Sequence, residues 1–101
     1  MNNKELIEII KEFVDDDVAD SIIILDGDEF ADAAIGLTVD NRVVYDYDLM
    51  VQSLAKAYKE GDEVTDDDIT NAVDDIEYNT IPSIPTMSHY GIAPIIIRRF
   101  K

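Results

Sequence analysis

Apolar positions along this chain change their spacing several times, and each change marks a predicted element. The clearest change falls in residues 43–61, VVYDYDLMVQSLAKAYKEG. Val43, Val44 and Tyr45 form a continuous apolar run of the kind a buried strand uses. From Tyr47 the spacing becomes helical, with Met50, Val51, Leu54, Ala55 and Tyr58 on the same face. Asp46 is placed to cap this helix and Asp48 to sit at its positive end. Lys56 and Lys59 suit its negative end, and Gly61 can stop it. The remaining elements are organised around this strand–helix unit.

Residues 4–15 predict the first helix, with Leu6, Ile9, Ile10, Phe13 and Val14 as its stripe, Ile7 beside it and Asn2 or Asn3 as its cap. Asp15, Asp16 and Asp17 fall at the negative end of that helix, so it is expected to fray or stop there, with an irregular turn at Val18 and Ala19. Residues 21–25, SIIIL, read as a short strand buried on both faces, and Asp26-Gly27-Asp28 as a turn. Residues 33–39 predict another strand, in which Gly36 marks a bulge or a close backbone approach. Asp40 and Asn41 then reverse the chain into residues 42–45, giving a hairpin.

A third helix is expected after Thr65, with Asp68 at capping-box spacing and Ile69, Ala72, Val73 and Ile76 as its stripe. Asp66, Asp67 and Asp68 suit its positive end, whereas Asp74, Asp75 and Glu77 have no such reason. Residues 79–91 read as a connector, because Pro82 and Pro85 oppose helix and favour extended backbone. Residues 95–97 are a last strand with Pro94 at its start. The expected fold class is α+β in a single domain, 1–101. It has a small, mostly antiparallel sheet of three or four strands with about three helices packed on one face, in the order αβββααβ or αβββαβ.

Composition narrows the function classes. The chain has 101 residues, 47% of them hydrophobic, enough for one modest core and too many for wholesale disorder. It has no cysteine, which rules out disulfides and thiolate metal sites and fits a cytoplasmic protein. No apolar run is long enough to span a bilayer, and charged residues interrupt the N-terminal stretch where a signal peptide would be apolar. The net charge is −15, unevenly placed. Residues 12–32 hold nine acids and no base, and residues 60–77 hold nine more and no base. After Glu77 there is no acid, while Arg98, Arg99 and Lys101 are basic. Such a surface repels nucleic acid and anionic membrane, and favours a basic protein surface as partner.

Candidate chemistry is sparse. Asp66, Asp68, Thr70, Asp74 and Glu77 match oxygen-ligand positions of a calcium loop, but Asn71 stands where the turn needs glycine, and the residues alternate with a helical stripe. The acid runs read as solvated edges rather than catalytic pairs, which need a pocket that separates their pKa values. His89 has no second histidine to share a metal, and Ser83 and Ser88 lie in no nucleophile motif. The glycines at 27, 36, 61 and 91 stand alone, so no phosphate loop is present. Pro82-Ser-Ile-Pro85 matches a PxxP docking motif, though its flanking isoleucines fit a connector packed on the core. Tyr45, Tyr47 and Tyr58 read as core-edge residues with wet hydroxyls rather than a recognition patch. No cofactor is implied, and the chain is expected not to be an enzyme.

Three stretches together, DEFADAAIGLT (28–38), VVYDYDLM (43–50) and IEYNTIPSIPTM (76–87), followed by APIII (93–97), resemble a family of short, acidic, uncharacterised proteins of Gram-positive bacteria and their mobile elements. Pro82 and Thr86 depart from that family's pattern, which has an arginine and an aromatic residue there. The resemblance implies no activity; a mobile-element setting would favour inhibitors and antitoxins.

The expectation is therefore a non-enzymatic acidic binding module. Its sharpest form is a nucleic-acid mimic, anti-CRISPR-like in size and charge, that occupies the basic groove of a nucleic-acid-handling protein. The residues expected to make contact are Asp15, Asp16, Asp17 and Asp20, together with Asp62, Glu63, Asp66, Asp67 and Asp68. The alternative is an antitoxin-like or oligomeric interaction protein using a sheet edge or the PxxP stretch. Oligomeric state is left open by the sequence.

Overall fold

The computed structural model describes residues 1–100; Lys101 lies outside them. Among the described residues, five α-helices and three strands follow in order as α1 (Asn3–Phe13), α2 (Asp16–Ser21), β1 (Ala34–Leu37), β2 (Val43–Asp46), α3 (Tyr47–Tyr58), α4 (Asp66–Asp75), α5 (Ile81–Met87) and β3 (Ile95–Ile97). A 3-10 segment, Asp28–Ala33, leads into β1, and a π-helical segment, Ile76–Thr80, joins α4 to α5. The class is α+β.

The predicted strand–helix unit is the centre of the molecule. β2 is the middle strand, in the order β1-β2-β3. Val43 and Tyr45 point into the core, and Asp46 ends the strand by accepting the Leu49 N–H at 2.9 Å, which starts α3. α3 buries Tyr47, Met50, Leu54 and Ala55 and packs against both α4 and the 3-10 segment. Leu6 and Ile10 of α1, Leu25, Phe30, and Ala72 and Ile76 at the C-terminal side of α4 complete the same core.

The sheet is mixed, which corrects the expected mostly antiparallel arrangement. β1 and β2 form the predicted antiparallel hairpin, whereas β3 runs parallel to β2. Since the chain enters β3 after three α-helices and the π segment, it has length enough for the crossover a parallel pair requires. The hairpin turn uses Asn41 at φ 68, a left-handed conformation that asparagine tolerates. The register shifts between Ala34 and Gly36, so the bulge expected from Gly36 is present.

Two further expectations fail for identifiable reasons. Residues 21–25 are not a strand of the sheet. Ser21 ends α2, and only Ile22 forms a bridge, to Ile92. The Ile23 N–H and the Ser21 carbonyl bond to Ile92, but the Leu25 N–H is taken by the Tyr45 hydroxyl at 3.0 Å. A side chain thus replaces the ladder partner, and Leu25 is buried without a neighbouring strand. Gly91 permits this crossing, because a Cβ there would collide with the Ser21 carbonyl.

Residues 79–87 of the expected connector are helical instead, and 88–91 form a turn. The π segment and α5 continue α4, with Pro82 in the first turn of α5 and Pro85 inside it. Proline is tolerated in a first turn, and the wider π turn lets the Ile81 N–H reach the Ile76 carbonyl. Ser83 donates to the Thr80 carbonyl at 2.6 Å and Ser88 to the Pro85 carbonyl at 2.6 Å, which satisfies acceptors near the prolines. A helical Pro82–Pro85 cannot present the polyproline form that PxxP recognition needs.

Candidate interaction surfaces

Each acid run includes a helix start. α1 stops at Phe13, and the Val14 N–H closes its last turn on the Ile10 carbonyl. Asp15, Asp16 and Asp17 therefore do not extend α1 against its dipole. Asp15 is the N-cap of α2, with Asp16 and Asp17 in the first turn, where negative charge is favourable. The irregular turn expected at Val18 and Ala19 is this helix. Asp15, Asp16, Asp17 and Asp20 are exposed, and the Asp15 side chain makes no capping bond.

Asp62 and Glu63 lie in the exposed link from α3 to α4, and Asp66, Asp67 and Asp68 form the first turn of α4. Here the capping box is complete. Thr65 Oγ1 accepts the Asp68 N–H at 3.2 Å, and Asp68 Oδ2 accepts the Thr65 N–H at 2.9 Å. Asp68 is half-buried and committed to this cap, while the other four remain exposed. The two runs are carried by different packing pairs, α2 on α1 and α4 on α3.

Two of the three acids that the sequence left unexplained, Asp75 and Glu77, have local duties. Asp75 accepts from the Tyr58 hydroxyl and from Asn79 Nδ2, the latter at 2.9 Å. Glu77 accepts the Tyr47 hydroxyl at 3.2 Å, while the Arg98 guanidinium lies 4.7 Å from the centre of the Tyr47 ring. Burial first, then the hydrogen bond to Glu77 and its charge, pushes the Tyr47 phenol above its ordinary range. The signal was the alignment of Tyr47 and Tyr58 with acids on the next helix, which spacing within one helix does not reveal.

Asp46 is the one acid deep in the fold. Its carboxylate is 2% exposed, caps α3 and pairs with Arg99. The Leu49 N–H, and after it Arg99, hold its pKa below the usual aspartate range, against the opposing effect of burial. Tyr45 is fully buried, and burial raises its phenol above the ordinary value. Among the described residues, only the Met1 amine with Asp32 and Arg99 with Asp46 form ion pairs, so apart from Asp32 the acids of the two runs have no ion-pair partner.

Among the described residues no cluster of three His, Asp or Glu could hold a metal ion. The calcium-loop candidates from Asp66 to Asp74 lie on α4, and a helix spreads such carboxylates around its axis. His89 is exposed. The concave features are shallow. A groove of about 320 Å³ between α1 and β1 is lined by Leu6, Ile9, Ile10, Phe13, all of β1 and Val43. A second of about 390 Å³ separates β3 from α5, with Ile81, Ile84, Pro85, Ile95 and Ile97 on its walls and Tyr47, Glu77 and Arg98 among its polar residues. Among the described residues no helix is long and apolar enough to cross a membrane.

Comparison with family models, curated proteins and solved structures finds no match for this chain.

Proposed function

We propose that the protein is a non-enzymatic acidic binding module whose partner is a protein with a basic surface. The observation that carries this reading is the exposure of most acids in two base-free runs, of which only Asp32 has an ion-pair partner among the described residues. Helix-start positions account for Asp15, Asp16, Asp17, Asp66, Asp67 and Asp68, but not for the number of acids. A cap needs one or two carboxylates, whereas the chain carries −15. Charge of this density costs stability through self-repulsion and speeds encounter with a cation-rich surface.

In its sharpest form the module is a nucleic-acid mimic that acts in the cytoplasm on a nucleic-acid-handling protein, in the manner of anti-CRISPR inhibitors. The resemblance to short acidic proteins of Gram-positive mobile elements supports that setting. Asp15, Asp16, Asp17 and Asp20 are the leading contact residues, with Asp62, Glu63, Asp66 and Asp67 as the second set. Asp68 is held by the α4 cap and contributes mainly there. An antitoxin-like or oligomeric role is the second reading; the apolar groove beside the open β1 edge favours it.

The test is capture from the native cell on immobilised protein at low salt, followed by elution with high salt and then, separately, with duplex DNA. Basic nucleic-acid-binding proteins released by both treatments support the mimic. Proteins that resist salt contradict the acidic reading, because binding through exposed carboxylates is screened. Partners released by salt but not displaced by DNA retain the acidic module and remove the mimicry.

A further inference from the structure

We propose that the groove between α1 and β1 seats an extended, cationic segment of the partner protein, with apolar side chains alternating toward the groove. This rests on the reading above and names the contact face it leaves open. All four residues of β1 line the groove together with Val43 of β2, so it follows the strand. Among the described residues β2 is β1's sole neighbour in the sheet, which leaves the strand's outer edge unpaired. Edge strands are commonly protected by charge or proline; β1, Ala-Ile-Gly-Leu, has neither, and its bulge is the one blunting device. An added strand takes its main-chain hydrogen bonds from such an edge and its specificity from alternate side-chain pockets.

The groove is apolar and its lip is more so than a solvated helix requires. Phe13 is 73% exposed, and Ile9 and Ile35 are each 42% exposed, on the two sides of the same depression. These three positions face one another across α1 and β1, so they form one patch rather than scattered surface residues.

Charge selects the occupant. Phe13 also borders a neighbouring depression lined by Glu12, Asp15 and Lys11, and the exposed acids of α2 continue from Asp15. Glu5 and Glu8 are exposed on α1 as well, and Lys4 and Lys11 are its bases. A second copy of this chain would bring another −15 to that rim, and an anionic bilayer would be repelled likewise. A segment carrying lysine or arginine on one side and leucine-like residues on the other satisfies both the apolar floor and the acidic lip.

The probe is a fluorescent peptide of alternating leucine and lysine, compared with one in which serine replaces leucine. Native protein should bind the leucine peptide at least roughly tenfold more tightly, the gain expected from burying one large apolar side chain. Both affinities should fall as salt is raised. Backbone amide shifts should concentrate on α1 and β1. Phe13→Ser combined with Ile35→Thr should abolish the leucine preference and leave the serine peptide's affinity unchanged. Both residues are exposed, and a thermal melt checks the fold of the pair; Ile9→Ser provides an independent variant.

Survival of the leucine preference in both variants, or shifts mapping to the β3–α5 groove, overturns the assignment while salt-sensitive binding keeps the acidic reading. Salt-insensitive binding of both peptides contradicts the acidic reading instead. Absence of any binding removes both.

Discussion

The acids of residues 15–20 and those of residues 62–68 share a sign and, apart from half-buried Asp68, exposure, and each set includes a helix start, but they differ in what holds them and what stands beside them. The second set begins a helix with a complete capping box and packs, through α4, on the central helix. The first begins a six-residue helix with no side-chain cap, and the chain leaving it is attached to the sheet through Ile92 and the Tyr45 hydroxyl. Beside the first lies the apolar groove with Phe13 on its lip. Similar acid runs therefore carry unlike duties: at α4 part of the charge goes to folding, while at α2 folding makes little use of it.

The largest expected effect probes the attachment of the first region. Tyr45→Phe leaves the buried Leu25 N–H without an acceptor and should cost about 1–3 kcal/mol in urea unfolding. Hydrogen exchange should quicken at Leu25 and its neighbours, with α4 unaffected. Equal quickening in α4 would mean that the two regions are not independently held. Next, Thr65→Ala should cost about 1 kcal/mol by removing the α4 cap, whereas Asp15→Ala should cost less than about 0.5 kcal/mol because no side-chain bond is lost. Equal costs would break the contrast.

The pH dependence separates both regions from the core that joins them. The folded pKa of Asp46 is lowered, so its contribution is present above the ordinary aspartate value of 3.8 and is lost as pH falls through the lower folded value. The folded pKa of Tyr45 is raised, so its contribution is full below the ordinary tyrosine value of 10.0 and is lost as pH rises through the folded value. Denaturant midpoints measured across pH should show the acid-side loss reduced in Asp46→Asn and the alkaline loss reduced in Tyr45→Phe. The smallest effect is a modest rise in melting temperature on adding salt, from screened self-repulsion.

Local signals carried much of the fold. The β2–α3 unit, its Asp46 cap, the α1 and α4 caps, the bulge at Gly36 and the β1–β2 hairpin were legible because each depends on neighbours within a few residues. The parallel placement of β3 was not, since a three-residue apolar run does not encode its partner. Residues 21–25 looked like a strand because burial of Leu25 and β-branched composition mimic one; the Tyr45 hydroxyl twenty residues away decided otherwise. The prolines looked like breakers because a π turn and two serine hydroxyls that accommodate them are tertiary and rotameric details. At the surface, the acid runs were visible in the sequence, but the groove was not. It exists only because α1 and β1, far apart in the chain, lie side by side.

The central claim is that acid beside the apolar groove is there to meet a cationic partner. The direct measurement is the affinity of the leucine–lysine peptide for two amide variants: Asp15→Asn, Asp16→Asn, Asp17→Asn and Asp20→Asn together, against Asp62→Asn, Glu63→Gln, Asp66→Asn and Asp67→Asn together. The account predicts a loss of about tenfold or more and a flattened salt dependence for the first set, and a loss of only a few-fold for the second. Equal losses, or an affinity indifferent to both sets, would contradict it.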